Sequence, residues 1–221
     1  MTSKTQKIKE LFDFDKNQNC IIIGTDEAGR GPGAGPVFAA AVYFPTVNDE
    51  ILTALSLLND SKKLSEKNRE ECFEQIIKYA VYSIQYATVE EIEYENILNA
   101  SLNTMKKACN DVIKQIKQNN IKILVDGNKK IKNVNFNQET VVKGDGKSAS
   151  IAAASILAKV SRDRLMIELD KEFPQYCWAK NKGYLTAEHI QGIKNFGATK
   201  WHRKKFIQNI LSEQTEQLTL L

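Results

Sequence analysis

Residues 21–44 constrain the fold of this chain more than any other stretch. Ile21-Ile22-Ile23 is a β-branched run closed by Gly24, and Val37-Phe38-Ala39-Ala40-Ala41-Val42-Tyr43-Phe44 is a second apolar run closed by Pro45. Between them lie Gly29, Gly31, Gly33 and Gly35. β-Branched and aromatic residues favour strands, and glycine frees the backbone for a turn. Two strands joined by so short a connection pair antiparallel. The fold is therefore built around a sheet that contains this pair.

The remaining pattern supplies the other elements. A short amphipathic helix is expected over residues 4–13. Leu64 and Ser65 read as the staple and cap of a helix running to Ala80. Residues 82–89 alternate as a strand, and 90–119 carry apolar residues at helical spacing, as one helix or two. Ile121-Lys122-Ile123-Leu124-Val125 and Thr140-Val141-Val142 read as strands, while 129–140 carry no assignable feature. A long helix spans 148–173, ahead of Pro174, and its small residues Ala152-Ala153-Ala154-Ser155 permit close approach to a sheet. Two shorter helices follow, at 186–195 and 203–217. Strands and helices followed by helices alone indicate an α/β core, residues 1–180, with a C-terminal helical extension, 181–221.

Composition narrows the function classes. The 221 residues are 42% hydrophobic and 26% charged, which excludes intrinsic disorder. No apolar run reaches the ~18–20 residues of a membrane helix, and the polar N-terminus does not read as a secretory signal. Cys20, Cys72, Cys109 and Cys177 form no CxxC pair, and two histidines exclude a His-rich metal centre. Scattered cysteines without such a signal fit a reducing cytoplasm. The net charge of +4 is uneven: residues 1–140 hold 18 Lys/Arg against 19 Asp/Glu, and 141–221 hold 13 against 8. The basic C-terminal third suits either an acidic partner such as nucleic acid or a solvated surface.

Acidic residues recur at strand ends. Asp26 and Glu27 follow the first strand, Asp126 follows Ile123-Leu124-Val125, and Asp145 follows Val141-Val142. Ligands of open α/β sheets gather beyond the carboxyl ends of strands. If these strands are neighbours, the carboxylates converge and require a cation or protonation. An all-oxygen set suits Mg²⁺ or Mn²⁺, and two such ions would flank a phosphodiester. Asp before Gly is also ordinary turn chemistry, so each acid alone has a structural reading.

Gly29-Arg30-Gly31-Pro32-Gly33-Ala34 formally fits a dinucleotide fingerprint, with Asp49 and Glu50 about 20 residues on. Against that reading, strand character follows where a helix should open, and Pro32 lacks an N–H. The alternative is close backbone approach to a ligand, with Arg30 meeting a phosphate.

The segment Gly24-Thr25-Asp26-Glu27-Ala28-Gly29-Arg30-Gly31-Pro32, with Ala34-Gly35-Pro36-Val37, resembles the signature of the ribonuclease HII family. The resemblance continues through Asp60-Ser61-Lys62-Lys63-Leu64-Ser65, Val125-Asp126-Gly127-Asn128, Lys143-Gly144-Asp145, Ser150 to Lys159, Lys182-Gly183-Tyr184-Leu185-Thr186, and His202-Arg203. It implies a ribonuclease H-like α/β fold: a five-stranded mixed sheet flanked by helices, with a C-terminal helical part. It also implies cleavage of RNA in RNA–DNA hybrid and incision 5′ of a ribonucleotide embedded in duplex DNA.

By motif position, Asp26, Glu27, Asp126 and Asp145 are the implied catalytic metal ligands. Asp26 is expected to bridge two ions, Asp145 to hold the water-side ion, and Glu27 and Asp126 the other. Gly29, Arg30 and Gly31 match the turn that contacts the ribonucleotide 2′-OH and phosphate, and Tyr184 the tyrosine that stacks at the junction. Lys147, Lys159 and Lys182 are expected phosphate contacts. Asp163 reads as a surface or salt-bridging residue. The family commonly has Leu where Gly33 stands, so a change in loop stiffness is expected. A monomer without an obligate protein partner is expected, and 214–221 show no sliding-clamp motif. A catalytically silent hybrid binder remains the alternative in another class.

Overall fold

A computed structural model describes residues 4–58, 61 and 64–219. Asp60, Lys62 and Lys63 of the matched motifs lie outside them, as do the side chains of 4–5 and 213–219.

The glycine-rich segment forms the predicted pair. Strand β1 (Ile21–Ala28) runs antiparallel to β2 (Val37–Tyr43), with Asp26 opposite Ala40 and Ala28 opposite Phe38. β3 (Val81–Ala87) adds antiparallel to β2, while β4 (Ile121–Asp126) and β5 (Asn137–Val141) add in parallel on the other side. The mixed five-stranded sheet has the order β3-β2-β1-β4-β5. The chain returns to the N-terminal end of β4 through a pair of helices, as a parallel neighbour requires.

Both faces are covered, and β2 shows how. Phe38, Ala40 and Val42 pack with helix α6 (Ala149–Glu172) and with α1 (Lys4–Lys16), α2 (Asp49–Ala54) and α3 (Glu66–Tyr79). Ala39 and Ala41 pack with Met105, Ala108 and Val112 of α5 (Ile97–Gln115). The two-residue period of a strand sorts them. The first turns of α6 are buried all round, so they carry no polar stripe. A Cβ on Gly24 would collide with the α6 backbone at Ser150 and Ile151, so the close approach expected of small residues occurs here.

A separate cluster, including Trp178, Ile193 and Ile207, joins α7 (Trp178–Asn181), α8 (Ala187–Phe196) and α9 (Lys204–Thr219) to Ala34 and Met166. The C-terminal part therefore packs directly on the glycine-rich segment.

Several boundaries differ from the sequence reading. β1 continues through Gly24 to Ala28, so Asp26 and Glu27 lie within the strand rather than after it. β5 begins at Asn137, inside the stretch without an assigned feature. The helical region after β3 is two helices, α4 (Val89–Glu95) and α5, divided at Asn96. Asn96 takes φ +67°, and its side chain accepts from the N–H groups of Leu98 and Asn99, capping α5. Helices α2 and α7, of six and four residues, are too short to show a period.

Candidate active site

The strand order brings the four acids together. β1 and β4 are adjacent and parallel, so Asp26, Glu27 and Asp126 emerge at one end of the sheet. Asp126 closes β4 opposite Val141, the last residue of β5. Beyond β5, Lys143 takes a left-handed conformation, φ 55°, and the chain turns through residues 144–146, which carry Asp145. The Gly144 N–H donates to Asp126 Oδ1 at 2.7 Å, tying the ends of β4 and β5 together.

These acids line one cleft of about 370 Å³. Gly29, Arg30, Gly31 and Tyr184 line it too, with Ser61, Ser155, Lys159 and Arg162. Gly29 has φ +102°, and a Cβ there would collide with Arg162, so both conformation and space require glycine. Tyr184, 50% exposed, stands beside Gly31: a Cβ on Gly31 would lie 3.4 Å from its ring. A second cavity, about 490 Å³, lies at the other end of β1 among Lys9, Asp15, Cys20 and Tyr43.

The electrostatics are those of crowded carboxylates. Asp26 is buried, and its carboxyl is raised well above the usual carboxylate range. Burial is the largest cause, followed by the charges of Glu27 and Asp126. The Ser155 hydroxyl and the Glu27 N–H, which donates to Asp26 Oδ1 at 2.7 Å, offset part of this. Glu27 Oε1 accepts from Arg30 Nη1 at 3.3 Å. Among the described residues, no group of three or more His, Cys, Asp or Glu side chains is drawn together tightly enough to hold an ion as it stands. The acids share the cleft but hold separate partners, Arg30 for Glu27 and Gly144 for Asp126.

The lysines separate. Lys159 lines the cleft and pairs with Asp163 at 2.8 Å. Asp163 is therefore a salt-bridging residue, buried rather than on the surface. Lys147 is exposed beyond the Asp145 turn, and the Lys182 ammonium folds back on the Ala179 carbonyl; neither lines the cleft. Four cleft residues have no chemical role from sequence: Ala28, Ser61, Ser155 and Arg162. Ser61 Oγ lies 3.0 Å from Ser155 Oγ across 94 residues of chain.

The ribonuclease HII family profile matches residues 23–209. The chain belongs to the ribonuclease HII family. The ribonuclease HII of Fusobacterium nucleatum is 48% identical over 208 residues, 94% of each chain. The chain is thus an endoribonuclease, of the class that cleaves RNA in RNA–DNA hybrids. Its fold matches that of the ribonuclease H2 from Pyrococcus horikoshii OT3, with TM-score 0.70 and 24% identity over 88% of this chain and 99% of that one. It also matches Bst-RNase HIII, solved in complex with Mn²⁺, with TM-score 0.70 and 16% identity over 95% of this chain and 73% of that one. The ribonuclease H-like fold expected of this family is the fold observed.

Proposed function

We propose that this chain cleaves the RNA strand of RNA–DNA hybrids and incises 5′ of single ribonucleotides in duplex DNA, using Mg²⁺ or Mn²⁺ with two ions in the active complex. The observation that carries this reading is the shared cleft. Four carboxyls face the same space as the Gly29–Gly31 turn and Tyr184.

The donor set fits a divalent metal. It is all oxygen, and the Asp26 carboxyl, raised by burial and then by the charges of Glu27 and Asp126, would be eased by a cation. Asp26, Glu27, Asp126 and Asp145 would hold the ions. A bound divalent metal supplies Lewis-acid polarisation of water and phosphate.

The chain's own residues do the rest. Arg30, half exposed beside Glu27, offers a guanidinium to a phosphate, and Lys159 is a second cation in the cleft lining. The 29–31 backbone approaches the sugar, where the 2′-OH distinguishes RNA from DNA. Tyr184 offers a ring face for stacking at the ribonucleotide. In the reaction, the water oxygen bonds to phosphorus and the bond to the 3′ oxygen breaks, leaving 3′-OH and 5′-phosphate ends.

Residues 181–221 act as an extension of the catalytic part that contributes to substrate binding. The protein acts as a cytoplasmic monomer without an obligate protein partner. Among the described residues, no helix is long and apolar enough to cross a membrane.

The test is cleavage of a uniformly labelled hybrid against metal concentration, with the product ends mapped. Metal-dependent RNA cleavage with 3′-OH ends supports the reading. Cyclic-phosphate ends, or full activity in chelator, would exclude it.

A further inference from the structure

Two buried arginines hold the glycine-rich turn, Arg203 from outside the cleft and Arg162 from its lining. Arg203 is fully buried and donates to three carbonyls of that segment: Gly29 at 2.7 Å, Arg30 at 3.2 Å and Gly35 at 2.9 Å. Arg162, also buried, donates to Ala34 at 2.9 Å, Pro36 at 3.1 Å and Lys182 at 2.8 Å. The segment from Gly29 to Pro36 is thus held by two guanidinium forks.

The peptide geometry gives this a direction. None of the described peptide bonds is cis. In a trans peptide the C=O and N–H point opposite ways. The Gly29 and Arg30 carbonyls face Arg203, so the N–H groups of Arg30 and Gly31 face away from it. Gly29, Arg30 and Gly31 line the carboxyl cleft, whereas Arg203 does not. By contrast, the N–H groups of Gly33, Ala34 and Gly35 are bound to the Gly183 and Trp201 carbonyls.

We propose that Arg203, seconded by Arg162, is a positioning residue for ribonucleotide recognition: its fork turns two successive amide N–H groups, those of Arg30 and Gly31, toward the bound sugar and phosphate. The inference rests on the proposed substrate. It goes further by assigning the selectivity to a residue that never touches nucleic acid.

The energetics agree. A buried cation is costly unless its hydrogen bonds are complete. These two are met by carbonyl dipoles, and burial, with repulsion from Arg162, lowers Arg203 to about 9. Burial lowers Arg162 to about 10, so both remain charged at neutral pH. Their fixed charge beside the turn adds to its attraction for an anion. A lysine in place of Arg203 would keep the charge but not the planar fork.

The test compares wild type, Arg203→Lys and Arg162→Lys. Affinities for an all-DNA duplex and for the same duplex with one ribonucleotide are measured by fluorescence anisotropy with Ca²⁺ present. Melting temperature and Mn²⁺ affinity are followed alongside. The expected result for Arg203→Lys is an unchanged Mn²⁺ affinity and a ribonucleotide preference lowered about tenfold. Loss of both affinities in parallel, with the preference intact, would reduce the arginine to a structural role and overturn the inference. A wild type without preference would overturn the substrate reading itself, and is recognised before any variant is made. If neither variant folds, ¹⁵N-labelled wild type decides: the Arg30 and Gly31 amide resonances shift with the ribonucleotide duplex and not with DNA. Unshifted amides would overturn the proposal.

Discussion

Glu27 and Arg30, both in the lining of the cleft, form an ion pair with Oε1 and Nη1 3.3 Å apart. The pair links the carboxyl cluster to the glycine-rich turn three residues later. Arg30 is half exposed, so the pair itself adds little stability. Its consequence is for binding, because a phosphodiester competes with Glu27 for the guanidinium. Arg30→Ala should weaken binding to the ribonucleotide duplex on the order of three- to tenfold at low salt and lower the salt slope by about one. An unchanged slope in a salt series of binding isotherms would remove the phosphate contact.

Asp26 connects function and stability through its proton. A carboxyl raised in the folded state favours folding below the unfolded value, near 3.8, and this contribution is lost as pH rises through the folded value. Above the folded value the metal-free protein carries a destabilising carboxyl cluster. Asp26→Asn should raise the melting temperature without metal by about 3 °C, on the order of 1 kcal/mol, while abolishing cleavage. Mn²⁺ should stabilise wild type more as pH rises and the variant far less. Calorimetric scans with chelator and with Mn²⁺ check both.

His189 and His202 form a buried hydrogen-bonded pair tied to the Tyr184 carbonyl. The Trp178 indole donates to His189 Nε2 at 3.0 Å, His202 Nε2 lies 3.1 Å from the same atom, and His189 Nδ1 lies 2.9 Å from the Tyr184 carbonyl. The Thr199 N–H donates to His202 Nδ1 at 2.9 Å. This pattern needs both rings neutral. Burial, then the neighbouring His189, lowers His202 to about 4, and burial lowers His189 as well. The unfolded chain then takes up protons first as pH falls below about 6.5. Stability should fall by about 3 kcal/mol between pH 6.5 and 4 on account of His202. Urea unfolding across that range checks this, and His202→Gln should flatten the profile.

Gly33 has a packing reason. It is buried, and a Cβ there would meet Leu185 Cδ2 at 2.6 Å. The Leu185 side chain fills the space that a side chain at 33 would take. Gly33→Leu alone should cost about 1–3 kcal/mol through overpacking. Adding Leu185→Ala should recover most of that, and a double-mutant cycle measures the coupling. Additive effects would contradict the shared space.

The sequence carried what is local. Asp26, Glu27, Asp126 and Asp145 stood out because strand ends are visible in one dimension, and adjacency of β1 and β4 then brought them together. Lys147 and Lys182, expected as phosphate contacts, do not line the cleft: Lys147 is exposed and the Lys182 ammonium folds back on Ala179, a placement that spacing does not reveal. Ser61 and Ser155 meet across 94 residues, and Arg203 reaches Gly29 across 174. Such contacts leave no periodicity. Buried arginines are opaque for a further reason, since in sequence they read as surface charge.

The central claim is tested most directly by one incision assay. A labelled DNA duplex carrying a single ribonucleotide is incubated with Mg²⁺ or Mn²⁺, beside a chelator control, Asp26→Asn and Tyr184→Ala. The account predicts a single cut 5′ of the ribonucleotide by wild type, no cut with chelator or Asp26→Asn, and weaker discrimination of the ribonucleotide by Tyr184→Ala. Binding without a cut under either metal would contradict it and leave a silent hybrid-binding protein on the same fold.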